Sequence, residues 1–465
     1  MAQKREHQLV QVEERDNLGD TPLHSAIKCG DKDSIKLLLS NGANANLANK
    51  SGYTPLHYIC MRESDDGLAK VFFECNDEIN QKLRINAQNK FGETPLHLAL
   101  QARNTSAAEL LLRRGANSNL DDWLKCTSLH IISKHRYDDD FIELFFNISE
   151  EKHRLLYVNV QDYLGNTPLH LASSYDHSKS IELLLRRGSD PNIPNTLGFT
   201  PLHIMCFGDH VNCDSLKMFF EICKEKNLQM QVDAVENWGR TPLHLALLKQ
   251  DKRGLIELLL RNGANPNLAD KKGLTPLYFI CTNYYYHDFF EIFFNICEEL
   301  KQLVQVNAQD ELGNTILHLV LKHKYMKQAE LLLKKGADPS IANAERSTPL
   351  HIISKRCYND DFIELFFNII EENHRLLHVN VQDYEGNTPL HLAVHHRRLN
   401  LVELLLRRGS DPNIPDKEGF TPLHRALLTR GNEEMIELLL RNGASPNSAI
   451  KKGSTPLHTI CTNKY

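Results

Sequence analysis

The chain has 465 residues, of which 41% are hydrophobic and 24% charged, and carries a formal net charge of -5. That composition describes a folded protein with ample core material rather than a disordered polymer. A slightly acidic balance leaves no footprint for nucleic acid or an anionic membrane surface, so neither is expected as a partner.

The opening residues, MAQKREHQLVQVEERDNLGD, are too charged for the apolar stretch of a secretion signal. No later apolar run approaches the roughly 18 residues that cross a bilayer. The expectation is a protein without membrane insertion, cytoplasmic with the nucleus open. HQLVQVEERDNLGD parallels HRLLYVNVQDYLGN from His153, so residues 1–20 read as the end of a truncated long repeat.

From there one motif, Thr-Pro-Leu-His or a near variant, starts at Thr21, Thr54, Thr94, Thr127, Thr167, Thr200, Thr241, Thr275, Thr315, Thr348, Thr388, Thr421 and Thr455. The separations alternate around 33 and 40 residues. A fixed period of this size marks a solenoid, in which each unit buries its apolar face only against its neighbours. Residues 21–454 thus divide into twelve repeats, and 455–465 begin an incomplete thirteenth.

The unit from Gly386 to Gly419 shows the plan. Thr388 predicts a helix N-cap and Pro389 the first helical position, where its missing donor is harmless. Leu390, Leu392 and Ala393 give that short helix one apolar side, and HHRRLN turns the chain into a second helix, LVELLLRR. Arg407 and Arg408 suit a helix C-terminus, and Gly409 supplies the left-handed stop. SDPNIPDKEG then reads as a projecting hairpin-like turn.

Five units, starting at Thr54, Thr127, Thr200, Thr275 and Thr348, are longer by about seven residues around the second helix, roughly 10 Å or two turns if all are helical. They replace LLLRRG with an aromatic pair and drop the glycine, which predicts outer helices that protrude in alternate repeats. The Thr127 junction departs from the pattern as well. Ser128 replaces the proline and Lys125 the glycine, which implies either a differently shaped turn or a locally softer stack.

These motifs, together with ELLLRRG and GADPN segments, resemble the ankyrin repeat along essentially the whole chain. The resemblance implies an all-α solenoid of stacked helix-turn-helix units, with the hairpin-like turns as fingers and the inner helices lining a concave face. It implies protein binding without enzymatic activity, and a local hydrogen bond plus a bond to the adjoining repeat for each motif histidine.

Twelve of the 23 histidines hold the motif position, with Tyr278 the one substitute. Catalysis needs a nucleophile and an orienting group beside one imidazole, not a dozen copies of it, so the structural role is preferred. Removing one is expected to cost roughly 1 kcal/mol, one net hydrogen bond. His374 and His378 supply too few ligands for zinc. The acidic groups Asp65/Asp66, Asp138/Asp139/Asp140 and Asp360/Asp361 precede the second helices of long repeats and read as caps rather than catalytic carboxylates. The pairs Phe72/Phe73, Phe145/Phe146, Phe219/Phe220, Phe293/Phe294 and Phe366/Phe367 read as core rather than a ligand box.

Among the eleven cysteines, Cys60, Cys206, Cys281 and Cys461 lie six residues after the motif threonine, a small apolar packing position. No nucleotide-loop, nucleophile-elbow or zinc-protease string occurs, and neither a cofactor nor a metal is expected.

Binding residues are sought in what varies. The residue before the threonine is Tyr53, Phe199, Leu274 or Phe420 in some repeats and polar in others, and both tryptophans, Trp123 and Trp238, fall in the projecting turns. Aromatic side chains on exposed turns anchor interfaces. The competing reading is that these rings pack on neighbouring fingers. The expected molecule is a monomeric scaffold for a protein or peptide ligand. The runner-up is the targeting arm of a longer enzyme or membrane protein.

Overall fold

The computed structural model describes residues 12–63, 67–151, 155–209, 212–249, 252–282, 289–374, 376–428 and 432–462. Asp65, Asp66 and His153 lie outside them. Among the described residues there are 25 α-helices, no strand, and two isolated backbone bridges, Asp121 with Thr127 and Gln309 with Thr315. The chain forms two compact units, Met1–Asn237 and Trp238–Tyr465.

In the first unit, the repeat at Thr167 shows how sequence becomes structure. Thr167 is extended (φ -84°, ψ 165°), and Pro168 opens the inner helix Pro168–Ser174. Asp176, with φ +54°, turns the chain into the outer helix Ser178–Arg186, and Gly188, with φ +86°, ends it. Leu169, Ala172, Ile181, Leu184 and Leu185 are buried between the two helices and their neighbours. The inner helix packs on the preceding inner helix Ser128–Lys134 and the following one, Pro201–Phe207. Each repeat therefore completes its core only through the next.

The fingers are joined by backbone hydrogen bonds. In the first unit Lys50 N donates to Leu18 O (3.0 Å), Lys90 to Ser51 (3.0 Å), Trp123 to Phe91 (3.0 Å), Tyr163 to Leu124 (2.9 Å), Thr196 to Leu164 (3.0 Å) and Asn237 to Leu197 (3.2 Å). The second unit repeats the pattern from Lys271 N to Trp238 O (3.0 Å) through Lys451 N to Glu418 O (3.3 Å). This close approach is why glycine recurs two residues before the threonine. At Gly165, φ is +77° and a Cβ would stand 2.8 Å from the Thr196 nitrogen.

Lys125 nevertheless takes the same conformation, with φ +58°, as does Arg346 with φ +56°. The turn at Lys125 is not differently shaped. Asp122 N still donates to Cys126 O at 3.1 Å, and Leu124 O still accepts from the next finger.

The long repeats correct the expected helix extension. Their outer helices Asp139–Glu151, Cys213–Glu225 and Asp360–Glu372 have 13 residues, while Leu68–Glu78 and Phe289–Glu299 have 11, against nine in short repeats such as Ser178–Arg186. The gain is two to four residues, about 3–6 Å, not two turns. The remaining length is divided between a longer link between the helices, as from Lys355 to Asp360, and a longer segment after the outer helix, as from Glu225 to Thr241. Nor does loss of glycine remove the left-handed stop, because Asn80, Asn227, Lys301 and His374 hold φ between +52° and +58°.

The phenylalanine pairs are core. Phe72, Phe145, Phe219, Phe293 and Phe366 are fully buried, and each second ring lies edge-on to the first. Arg114, Arg187 and Arg408 from the next repeat lie 4.3–4.4 Å above Phe73, Phe146 and Phe367, seating a cation on each ring face. Asp138 is a cap as expected, its Oδ1 accepting from Phe141 N at 2.8 Å, whereas Asp360 and Asp361 lie inside the first turn of their helix and Asn359 Oδ1 makes the cap, accepting from Phe362 N at 3.3 Å. Cys60, Cys206 and Cys281 are buried, whereas Cys461 is exposed.

Candidate protein-binding surface

The motif histidines hold repeats together. Thr167 N donates to His170 Nδ1 at 3.0 Å, which leaves that nitrogen unprotonated and puts the ring proton on Nε2. Nε2 then donates to Phe199 O, 29 residues on, at 2.9 Å. His24, His57, His97, His130, His244, His318, His351 and His391 make the same paired bonds, their Nε2 contacts spanning 3.0–3.2 Å to the residue before the next threonine. Tyr278 keeps the inter-repeat half of this device, its hydroxyl donating to Asn314 O.

Burial pushes His57, His170 and His351 down to about 4, so these rings are neutral near pH 7. Burial likewise raises the thiols of Cys60 and Cys281 far above their ordinary range, leaving them protonated. Among the described residues no group of three or more His, Cys, Asp or Glu is placed to hold a metal.

The fingers are fixed from below by an acid or amide five residues before the threonine. Asp122 Oδ1 accepts from Leu124 N (2.8 Å) and Cys126 N (2.9 Å), and Asn49 Oδ1 accepts from Ser51 N and Tyr53 N (3.0 Å each). With the loop held at its base and laddered to its neighbours, the two residues at its tip project. Trp123 is 71% exposed and Trp238 64%.

The residues just before the threonine are different. Tyr53, Phe199, Leu274 and Phe420 are half-buried. Tyr53 packs on His57 and Tyr58, Phe199 on His203 and Phe207, and Phe420 on His424 with Arg425 above it. Leu274 O accepts a hydrogen bond from His244 Nε2 at 3.1 Å. These four sit at the finger base beside the inner-helix start.

The tip positions, three and four residues before the threonine, hold further residues that sequence reasoning missed. In the first unit Leu18, Phe91, Leu124, Tyr163, Leu164 and Leu197 are all exposed there with Trp123. Phe91 and Trp123, on adjacent fingers, meet edge to face at 5.8 Å. Beside them is an open cleft of about 470 Å³ lined by Tyr53, Phe91, Glu93, Asp122, Trp123 and Leu124. In the second unit, Trp238, Leu312 and Tyr384 share such positions with Lys272, Glu345 and Glu418. The first unit therefore presents apolar tips on four consecutive fingers, from Phe91 to Leu197, separated from Leu18 by a polar finger at Lys50 and Ser51, and the second unit a mixed set.

Paired helices, finger ladders and a histidine clasp at successive junctions define a helical-repeat protein. Ankyrin repeats (3 copies) match over residues 5–83, 65–154, 169–270, 249–343, 329–416, 350–450 and 400–465, and the chain belongs to the ankyrin-repeat family. It is similar to transient receptor potential cation channel subfamily A member 1 of Homo sapiens, 26% identical over 437 residues, covering 87% of this chain and 38% of the relative. The protein of that name from Drosophila melanogaster is 23% identical over 406 residues, covering 86% of this chain and 30% of the relative. NF-kappa-B inhibitor zeta of Mus musculus is 26% identical over 213 residues, covering 39% and 29%. The chain spans well under half the length of these relatives. Among the described residues no helix is long and apolar enough to cross a membrane.

Proposed function

We propose that this chain is a non-enzymatic scaffold that captures a protein or an extended peptide through its finger tips and inner-helix face. The observation carrying this reading is the run of exposed apolar side chains on consecutive fingers of the first unit, held in place by backbone ladders. Rigid aromatic anchors lose little entropy on binding, and neighbouring tips a repeat apart suit an elongated ligand. Trp123 is the leading anchor, with Tyr53 lining the same cleft; Phe199 in the first unit, and Leu274 and Phe420 in the second, support the bases of their own fingers, and Trp238 is the exposed ring of the second unit. The scaffold acts as a monomer in the cytoplasm or nucleus.

The test is a quantitative binding assay with a partner identified by cross-linking and mass spectrometry. Phe91→Ala with Trp123→Ala should weaken binding by roughly 10-fold or more, as loss of a hot spot does, while the helical circular dichroism stays unchanged. Equal affinity of the folded double variant would refute the finger-tip reading.

A second reading has its own support. The channel relatives are about three times longer than the stretch matched here, which fits a targeting arm belonging to a larger enzyme or membrane protein. The full-length transcript decides between the two.

A further inference from the structure

Within the second unit, the edge opposite the fingers is the row of turns joining inner to outer helices. Three consecutive turns carry Lys322, His323, Lys324 and Lys327, then Lys355 and Arg356, then His395, His396, Arg397 and Arg398, and none of these stretches contains a carboxylate. These three turns are locally cationic although the chain as a whole carries a formal net charge of -5. Lys322, Lys324, Lys327, Lys355 and Arg356 are exposed, and no described carboxylate pairs with any of them.

Two staples hold the turns side by side. The Tyr358 hydroxyl donates to Leu321 O, and Arg398 donates to Arg356 O and, at 2.7 Å, to Tyr358 O. Arg398 is thereby used internally, whereas Lys355 and Arg356 face outward. The crowding is felt by His396: burial first, then the charges of His395, Lys355 and Arg398, hold its pKa below the usual histidine value.

We propose that Lys322, Lys324, Lys327, Lys355 and Arg356 form a docking surface for an acidic peptide in extended conformation. Neighbouring turns in stacked helices lie about 10 Å apart, and an extended chain covers that distance in about three residues. Carboxylates recurring at that interval would meet each step in turn. A longer polyanion fits less well. Nucleic acid carries a phosphate charge at every step and draws affinity from many cations, whereas here Asp360 and Asp361 follow directly and Glu291 and Glu330 line the adjoining groove beside Lys324 and Lys327. This surface is separate from the finger tips and does not depend on them.

The experiment is fluorescence anisotropy of the whole chain with a labelled peptide of about eight residues bearing glutamate at every third position. Saturable binding is expected, weakening roughly tenfold between about 50 and 300 mM salt, as charge-driven association does. Lys324→Glu with Lys355→Glu should weaken it by about tenfold or more, and Arg103→Glu, on a turn of the first unit, should not. Circular dichroism confirms that the variants are folded. Binding unaffected by the paired reversal overturns the proposal, as does preferential binding of single-stranded RNA or phosphatidylserine vesicles that the same reversal abolishes.

Discussion

At the level of single residues, the recurring histidine joins a local cap to a distant neighbour. His170 accepts from the Thr167 amide and donates to Phe199 O. Both bonds are buried or nearly so, and removing the ring strands both partners while opening a cavity. His170→Ala should therefore lower stability by about 2–4 kcal/mol, more than the single net hydrogen bond suggested by sequence. A urea titration measures this, and a loss under about 1 kcal/mol would show that the two bonds are not both made. The cap was legible because Thr-Pro-Leu-His is local and repeated. The partner carbonyl was not, since it belongs to whichever residue precedes the next threonine, be it Phe199, Asn166 or Ser347. Phe91 and Tyr163 escaped notice for a related reason: exposure at a finger tip is set by the loop base at Asn89 or Asp162, not by the tip residue itself.

Among whole elements, the finger turn accepts a lysine or an arginine where the repeat pattern calls for glycine. Lys125 adopts a left-handed backbone that costs a non-glycine residue roughly 1–2 kcal/mol, yet its ladder bond remains. Neighbouring hydrogen bonds and the Asp122 carboxylate hold it there. Lys125→Gly should raise stability by about 1 kcal/mol, read as a higher urea midpoint. An unchanged or lower midpoint would mean that the lysine is not strained. Helix starts were readable from Thr-Pro, whereas the ends of the long outer helices were not. Asn80, Asn227 and Lys301 terminate them without glycine, because the following segment is tied down from the preceding repeat. Asn119, for instance, donates to Leu155 O (2.7 Å) and accepts from Tyr157 N (3.0 Å), and Asn267 does the same with Leu303 and Gln305. Such clamps link residues more than thirty positions apart, beyond the reach of local pattern.

Across the molecule, the repeated histidine becomes a collective sensitivity to acid. His24, His57, His97, His130, His170, His244, His318, His351, His391 and His424 all titrate below the unfolded value of 6.5, with burial the first cause. A depressed folded pKa contributes stability that is complete above the unfolded value and is lost as pH falls through the folded one. The window is therefore pH 6.5 down to about 4 for His57, His170 and His351. Each of these is worth at most roughly 3 kcal/mol across that span, and a protonated ring also loses the lone pair that accepts from threonine. Because every repeat leans on its neighbours, losses at successive junctions propagate along each unit. The urea midpoint should fall steeply between pH 6.5 and pH 4.5, with net proton uptake on unfolding, whereas exposed ion pairs such as Arg113–Glu109 contribute little to the change. Equal midpoints at pH 7 and pH 5 would mean that the buried imidazoles are not held neutral, and the clasp they form between repeats would need another explanation.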